Sequence, residues 1–182
     1  MPAPEYFHSS KRLGFRFWTA DDFDLARQLW GDPEVTRLFS KEPFSEEQIR
    51  ERLNTEIERA AENGVQYWPI FELSTQANVG CCGLRPYRPG EKIYELGFHL
   101  RPAHWGKGYA TEAARAALDY AREKLDLIGI FAGHHPENKA SKRVLLKLGF
   151  AEIGAEFYPP TGLLHPGYML KLSRVADPLS AS

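Results

Sequence analysis

Two spacings of apolar residues alternate along the chain. Residues Leu13 to Trp18, "LGFRFW", are aromatic-rich with one arginine between them, which predicts an edge strand. "TADDFDLARQLW" changes to helical spacing. Thr19 or Asp21 is placed to cap it, and Phe23, Leu25, Ala26 and Leu29 supply apolar surface. "GDPEVTRLF" breaks the pattern and predicts a short turn. From Ser45, "SEEQIRERLNTEIERAAENG" carries Ile49, Leu53 and Ile57 as a helical stripe, a capping box from Ser45 and Gln48, and a stop at Gly64. Three strand-like runs follow, Gln66 to Leu73, Asn78 to Tyr87 and Ile93 to Leu100. "STQAN" and "RPGEK" separate them, so an antiparallel meander is expected.

The next unit reads strand (Tyr94 to Leu100), glycine loop (Arg101 to Gly108), helix (Tyr109 to Leu125), strand (Ile128 to Gly133). That order implies parallel strands joined by a right-handed crossover. Ala110, Ala113, Ala114, Ala117, Leu118 and Ala121 form a small-residue face that lets the helix lie close to a sheet. A second helix is predicted from about Asn138 to Leu148, with Gly149 just past its end. Phe150 to Tyr158 and Tyr168 to Leu172 read as closing strands joined by the loop "PPTGLLHPG", and the tail 174–182 as disordered. The fold class is therefore α/β: a mixed, largely antiparallel sheet flanked by about four helices.

Length and composition suit one domain over 1–182. The chain has 182 residues, 43% hydrophobic and 26% charged, enough for a core without disulfides or metals. Lys and Arg number 23 against 24 Asp and Glu, which argues against a dedicated nucleic-acid binder. Cys81 and Cys82 are adjacent, so on a strand they point to opposite faces and a bridge between them would be strained. Two reduced thiols, no metal-type cysteine spacing, no secretory h-region and no apolar run of membrane length point to the cytoplasm.

The stretch with most chemical content is "WGKGYATEAA", Trp105 to Ala114. Gly106 and Gly108 flank Lys107 between a strand's end and a helix's start. A helix N-terminus has unpaired N–H groups and partial positive charge, and glycine lets a ligand approach the backbone closely. A pyrophosphate fits that description. Two other glycine loops fail: a Walker A loop needs Gly where Arg101 stands, and a dinucleotide fingerprint needs Gly or Ala where Thr111 stands. These failures count against a nucleotide-binding module.

From about residue 11 to residue 173 the chain resembles GNAT-superfamily N-acetyltransferases, in particular the RimJ/RimL-like branch, which includes enzymes that acetylate N-terminal amines of ribosomal proteins. The matching pieces are "RLGFRFWTADD", "ELGFHLRPAHWGKGYATEAARAALDYA" and "HPENKASKRVLLKLGF", in order and at the expected spacing. The resemblance implies the GNAT acyl-CoA fold with a splayed parallel pair, and acetyl-CoA as cosubstrate, without a metal. It implies that the loop His104 to Ala110 wraps the pyrophosphate through the amides of Gly106, Lys107, Gly108, Tyr109 and Ala110, with Trp105 and Thr111 beside them. Ala103 stands where many members have Gln or Arg. It implies that the strand Phe98 to Leu100 parts from the strand near Ala132, so that the pantetheine lies in the gap and an N–H near Phe98 or His99 faces the thioester oxygen.

The resemblance further makes Asn138 a ligand of the pantetheine arm, where its position alone suggests a helix cap. Ser141 then approaches the sulfur and serves the leaving thiolate. Arg143 and Lys147, four apart on another helix face, are candidates for the 3′-phosphate, with a solvated charged face as the alternative. For the base it points to Glu95 acting through water. An ordering role for Glu95 stays open, as do His99, His134, His135, His165 and Glu156 as bases. The acceptor pocket is expected between the first two helices and the loop Pro159 to Pro166, with Trp18, Phe39, Phe44, Trp68 and Tyr158 as candidate lining. The expected reaction is acetyl transfer to a primary amine, a protein N-terminus or a small molecule, directly in a ternary complex and not through Cys81 or Cys82. The alternative is a non-catalytic acyl-CoA sensor on the same fold. Expected partners are the amine and, as an allowed assembly, a second copy of the chain; neither nucleic acid nor membrane is expected.

Overall fold

Leu13–Phe15 forms a strand (β2) that is fully buried, not an edge. The edge belongs to the two-residue strand His8–Ser9 (β1), paired antiparallel with β2. "FHSS" has no apolar alternation, which hid it from the sequence. The computed structural model, which describes residues 5–172, therefore starts its sheet before residue 11. The expected disorder of the tail 174–182 lies outside the described residues.

A single 3₁₀ turn, Ala20–Asp22, leads into α1 (Phe23–Trp30). The segment expected to turn forms a short helix, α2 (Pro33–Thr36), because the Asp32 side chain accepts the Glu34 amide and Pro33 starts the turn without needing an N–H partner. α3 (Glu46–Asn63) follows its predicted bounds. Ser45 and Gln48 exchange their capping hydrogen bonds, and Gly64 ends the helix at φ 70°. Ile49 and Leu53 are buried, but the third buried position is Glu56 rather than Ile57. Glu56 is buried because its carboxylate has work: one oxygen accepts from Arg59 and the other from the Tyr67 amide, each at 2.8 Å.

The meander consists of β3 (Tyr67–Glu72), β4 (Asn78–Arg88) and β5 (Ile93–Leu100), antiparallel as expected. After it come α4 (Tyr109–Lys124), β6 (Gly129–Gly133), α5 (Lys139–Lys147), β7 (Ala151–Tyr158) and β8 (Leu163–Lys171). Gly149 takes φ 89° after α5. The expected nine-residue loop before the last strand shrinks to residues 159–162. Thr161 and Gly162 turn the chain back by donating their amides to Tyr158 O. Leu163 to Gly167 are strand, a fact masked by Pro166 and the glycines.

Among the described residues the strands form one sheet in the order β1-β2-β3-β4-β5-β6-β8-β7. Every neighbouring pair is antiparallel except β5–β6. Ala113, Ala114, Ala117 and Ala121 of α4 are fully buried, so this helix lies close over one face. Cys82 sits in that core and Cys81 in the core on the other face, among residues of α1 and α3, both as free thiols.

The sheet parts where the family resemblance implied. β5 and β6 are in register only from Ile93↔Gly129 to Glu95↔Phe131, although β5 runs on to Leu100. β6 instead stays with β8 to Gly133↔Gly167, and β5 stays with β4 to Leu100↔Gly80. A wedge opens between them.

Candidate active site

A cleft of about 1190 Å³ occupies the wedge and reaches both faces of the sheet. On the α4 and α5 side it is lined by Trp105, Gly106, Gly108, Tyr109, Ala110 and Thr111, and by Asn138, Ser141 and Arg143. Glu95, Phe98, His99 and Leu100 line its strand wall. Lys107 is exposed at the rim, outside the lining; its carbonyl accepts from Arg12 Nη1 at 3.1 Å.

The glycine loop has the backbone expected of an anion cradle. Gly106 and Gly108 take φ 73° and 80°, the left-handed region open to glycine at little cost. Glu112 donates its amide to Gly108 O at 3.1 Å. The amides from Gly106 to Thr111 have no hydrogen-bond acceptor among the described residues. Arg12 braces this loop, a role the sequence reading missed. Its Nε donates to Glu112 at 2.7 Å, and its guanidinium lies 4.4 Å from the Tyr109 ring centroid. Trp105 Nε1 donates to Leu100 O at 2.8 Å, tying the loop to the end of β5. Tyr109 donates its hydroxyl to Glu72.

Strand parity decides which amides face the wedge. Arg101 donates its amide to Val79 O at 3.0 Å, so alternate residues Gly97 and His99 direct their backbone groups to β4. Leu96, Phe98 and Leu100 direct theirs the other way, where β6 has left. Of the two N–H groups considered from sequence, that of Phe98 therefore faces the opening and that of His99 does not.

Asn138 caps α5, its Oδ1 accepting the Ser141 amide at 3.0 Å, which leaves its side-chain N–H₂ unspent. Ser141 Oγ has no hydrogen-bond partner among the described residues and lies within the first turn of α5, where the helix end is partially positive. Arg143 and Lys147 are exposed at the cleft.

Glu95 stands at the last paired position before the strands part. Arg85 donates to its Oε2 at 2.6 Å. The two residues are directly opposite across β4 and β5, a pairing that the "RPGEK" turn made countable. The ion pair is partly buried, and it leaves Arg85 matched in charge.

His99 turns its ring to the α3 face, stacked on Phe39 at 4.4 Å. Burial, then Arg52 and Arg85, push it well below the usual histidine range. Trp30 Nε1, which can only donate, points at His99 Nδ1 from 3.3 Å. The imidazole is therefore neutral, and its one acceptor nitrogen is taken. Cys81 lies 3.7 Å from the same nitrogen, but burial pushes both cysteine thiols up, so they stay protonated.

His134 donates Nδ1–H to His135 O at 2.7 Å, and His165 Nε2 meets Thr161 Oγ1 at 2.8 Å. Burial lowers both. Glu156 accepts from the Tyr87 hydroxyl at 2.6 Å.

Of the aromatic residues expected around an acceptor, Phe39 and Tyr158 line the cleft. Trp18, Trp68 and Phe44 do not. Trp18 is buried with its indole N–H on Tyr67 O, Trp68 is core beside Tyr120, and Phe44 packs on the α1–α3 core. Tyr67, Arg85 and Arg52 line that half instead. Arg52 was legible as a charge inside an apolar helical stripe, three residues after Ile49 and next to Leu53.

Residues 12–151 match the family model described as an acetyltransferase (GNAT) domain. The uncharacterised N-acetyltransferase p20 of Bacillus licheniformis is 31% identical over 166 residues, 90% of this chain and 93% of that protein. A GNAT-family acetyltransferase of Bacillus anthracis superposes with a TM-score of 0.76 at 26% identity, covering 92% of this chain and 98% of that one. RimL, a ribosomal L7/L12 alpha-N-protein acetyltransferase solved with coenzyme A, superposes with a TM-score of 0.77 at 18% identity over 92% and 98% of the two chains. That last likeness is one of fold.

Proposed function

The chain belongs to the GNAT acetyltransferase family and is an N-acetyltransferase, and on that footing we propose that it passes the acetyl group of acetyl-CoA directly to a primary amine in a ternary complex. The observation that carries the reading is the run of acceptor-less amides from Gly106 to Thr111, at the mouth of the wedge between β5 and β6. A diphosphate there receives several charge-assisted hydrogen bonds, each contributing about 1.5–3 kcal/mol. The pantetheine arm then enters the wedge, beside the unspent side-chain N–H₂ of Asn138. Arg143 and Lys147, free of salt bridges among the described residues, suit the 3′-phosphate.

Amine acetylation needs a proton removed, an oxyanion stabilised and a thiolate released. Phe98 N–H is aimed into the wedge and serves the oxyanion. Ser141 Oγ–H, helped by the positive end of α5, serves the thiolate. A free thiol has a pKa of roughly 8.5, so that help is modest. Glu95 takes the amine proton through water, using the carboxylate oxygen that Arg85 leaves open. His99 is a poor base because Trp30 occupies its acceptor nitrogen. The protonated, fully buried Cys81 and Cys82 argue against a covalent acetyl-cysteine route. The acceptor approaches from the α3 face, through the space bounded by Tyr67, Phe39 and Tyr158. The RimJ/RimL-like resemblance favours a protein N-terminus, and a small amine is the other acceptor class.

The test is a calorimetric titration with CoA and acetyl-CoA, paired with thiol release over a panel of amines and peptides. Binding with release in the presence of some amine is expected. Absence of binding by folded protein overturns the reading. Binding without release from any amine favours the sensor alternative.

A further inference from the structure

In the acceptor half of the cleft, a guanidinium whose Nε is buried has no anion among the described residues. Arg52 of α3 lines the cleft, and its Nε is buried without a hydrogen-bond partner. Among the described residues no salt bridge or hydrogen bond reaches its other nitrogens either. Two other arginines of the lining are matched, Arg85 to Glu95 at 2.6 Å and Arg59 to Glu56 at 2.8 Å, while Arg37 and Glu34, exposed at the same cleft, have no ion pair among the described residues. Glu56 lies one helical turn from Arg52, yet its second oxygen is held by the Tyr67 amide. Glu156 is held by Tyr87 and lies 3.6 Å from Arg88.

Aromatic faces hold Arg52 in place. Its guanidinium carbon is 4.8 Å from the ring centroid of Trp30, 5.3 Å from Phe39 and 6.0 Å from Phe44. Rings orient a guanidinium but accept none of its in-plane N–H bonds, so the fork stays open to a planar, bidentate acceptor. Phe39 also stacks on His99, which puts this charge beside the strand where transfer takes place. The neutral His99 contributes no competing charge.

We propose that Arg52 receives a carboxylate of the acetyl acceptor, so that the acceptor is a primary amine that also carries a carboxylate. A free amino acid offers that chemistry, and so does a peptide with an acidic residue beside its N-terminus. A polyamine does not, because it brings more positive charge next to an unneutralised guanidinium. The proposal rests on the acetyltransferase reading above and names the substrate class for it.

Thiol release from acetyl-CoA is measured with matched acceptors: amino acids against their carboxamides, peptides with Glu against Gln in second position, and a polyamine. The same panel is run on Arg52→Met and Arg52→Lys, with CoA affinity followed by calorimetry. The expected result is a kcat/KM at least about tenfold higher for one class of carboxylate-bearing acceptor than for its capped partner. The preferred pair identifies amino acid or peptide. Arg52→Met abolishes the preference, mainly through KM, Arg52→Lys keeps part of it, and CoA affinity is unchanged in both. If Arg52→Met does not fold, the wild-type preference and the Arg52→Lys comparison decide. The proposal is overturned if no carboxylate-bearing acceptor is turned over, if capped partners or the polyamine do as well, or if the preference survives loss of the guanidinium. CoA binding and release with any amine test the underlying reading separately.

Discussion

Gly97→Ala adds one methyl group to the strand that carries the proposed transfer site, and the structure says what it strikes. A Cβ at Gly97 overlaps Tyr67 Cζ and Oη and lies 2.6 Å from Cε2. The ring has little room to retreat. Tyr67 is 3% exposed, its amide is bound to Glu56 at 2.8 Å, and its carbonyl accepts from Trp18 Nε1 at 2.6 Å. The Arg85 guanidinium, 5.4 Å from the ring centroid, closes another side. In an open strand, Gly→Ala stabilises by roughly 0.5–1 kcal/mol. Here overpacking reverses the sign, and a net loss of about 1–3 kcal/mol is expected. For a chain of this size that lowers Tm by about 2–12 °C. Urea denaturation and thermal melting measure it directly. A cycle with Tyr67→Ala isolates the cause: once the ring is gone, Gly97→Ala costs almost nothing, so the two losses fail to add by about 1–3 kcal/mol. A Gly97→Ala variant within about 0.5 kcal/mol of wild type, or strictly additive losses, refutes the close approach of ring and strand.

Other outcomes follow from the same geometry. Ser141→Ala should lower kcat about 10- to 100-fold, the worth of one hydrogen bond of about 1.5–3 kcal/mol to the leaving thiolate, with CoA affinity intact; unchanged turnover removes Ser141 from the mechanism. Asn138→Ala should cost about 1 kcal/mol through loss of the α5 cap, and Asn138→Asp should retain it; equal losses in urea titrations contradict capping. Stability should fall as pH drops below about 6.5, because His99, His104, His134 and His165 are all pushed down, chiefly by burial. The unfolded chain then binds protons that the folded one refuses, and stability rises with pH through that window. His99→Gln should flatten the slope, and an unchanged slope contradicts the buried neutral imidazole. Burial alone would raise Asp22, but its two 2.7 Å bonds to Arg16, with those from Thr19, leave it lowered. Its contribution is therefore present above about pH 4 and lost on further acidification, and Asp22→Asn should remove that part of the acid transition.

Local signals were readable wherever one short segment settles its own conformation. The cap at Ser45, the stops at Gly64 and Gly149, and the helix after Gly108 were all predicted from sequence. Each depends on backbone groups and side chains within a few residues, so neighbours along the chain supply the whole cause. The glycine loop belongs to this class, since its open amides follow from two left-handed glycines and a helix start.

What only the tertiary structure decided involves partners far apart in sequence. Two-residue β1 exists because β2 offers it an edge, and Glu56 is buried because Tyr67 N–H needs an acceptor. Phe98 rather than His99 faces the wedge because β4 claims alternate residues of β5. Arg52 stands out in sequence only as a charge within the α3 stripe; folding surrounds it with Trp30, Phe39 and Phe44 and gives Glu56 and Glu95 other partners. Sequence alone thus determined the α/β order, the glycine turn with its open amides and the family likeness, through local backbone preference and pattern. The half of the cleft around Arg52 depended on packing across the sheet, because charge pairing and desolvation belong to the neighbourhood and not to the residue.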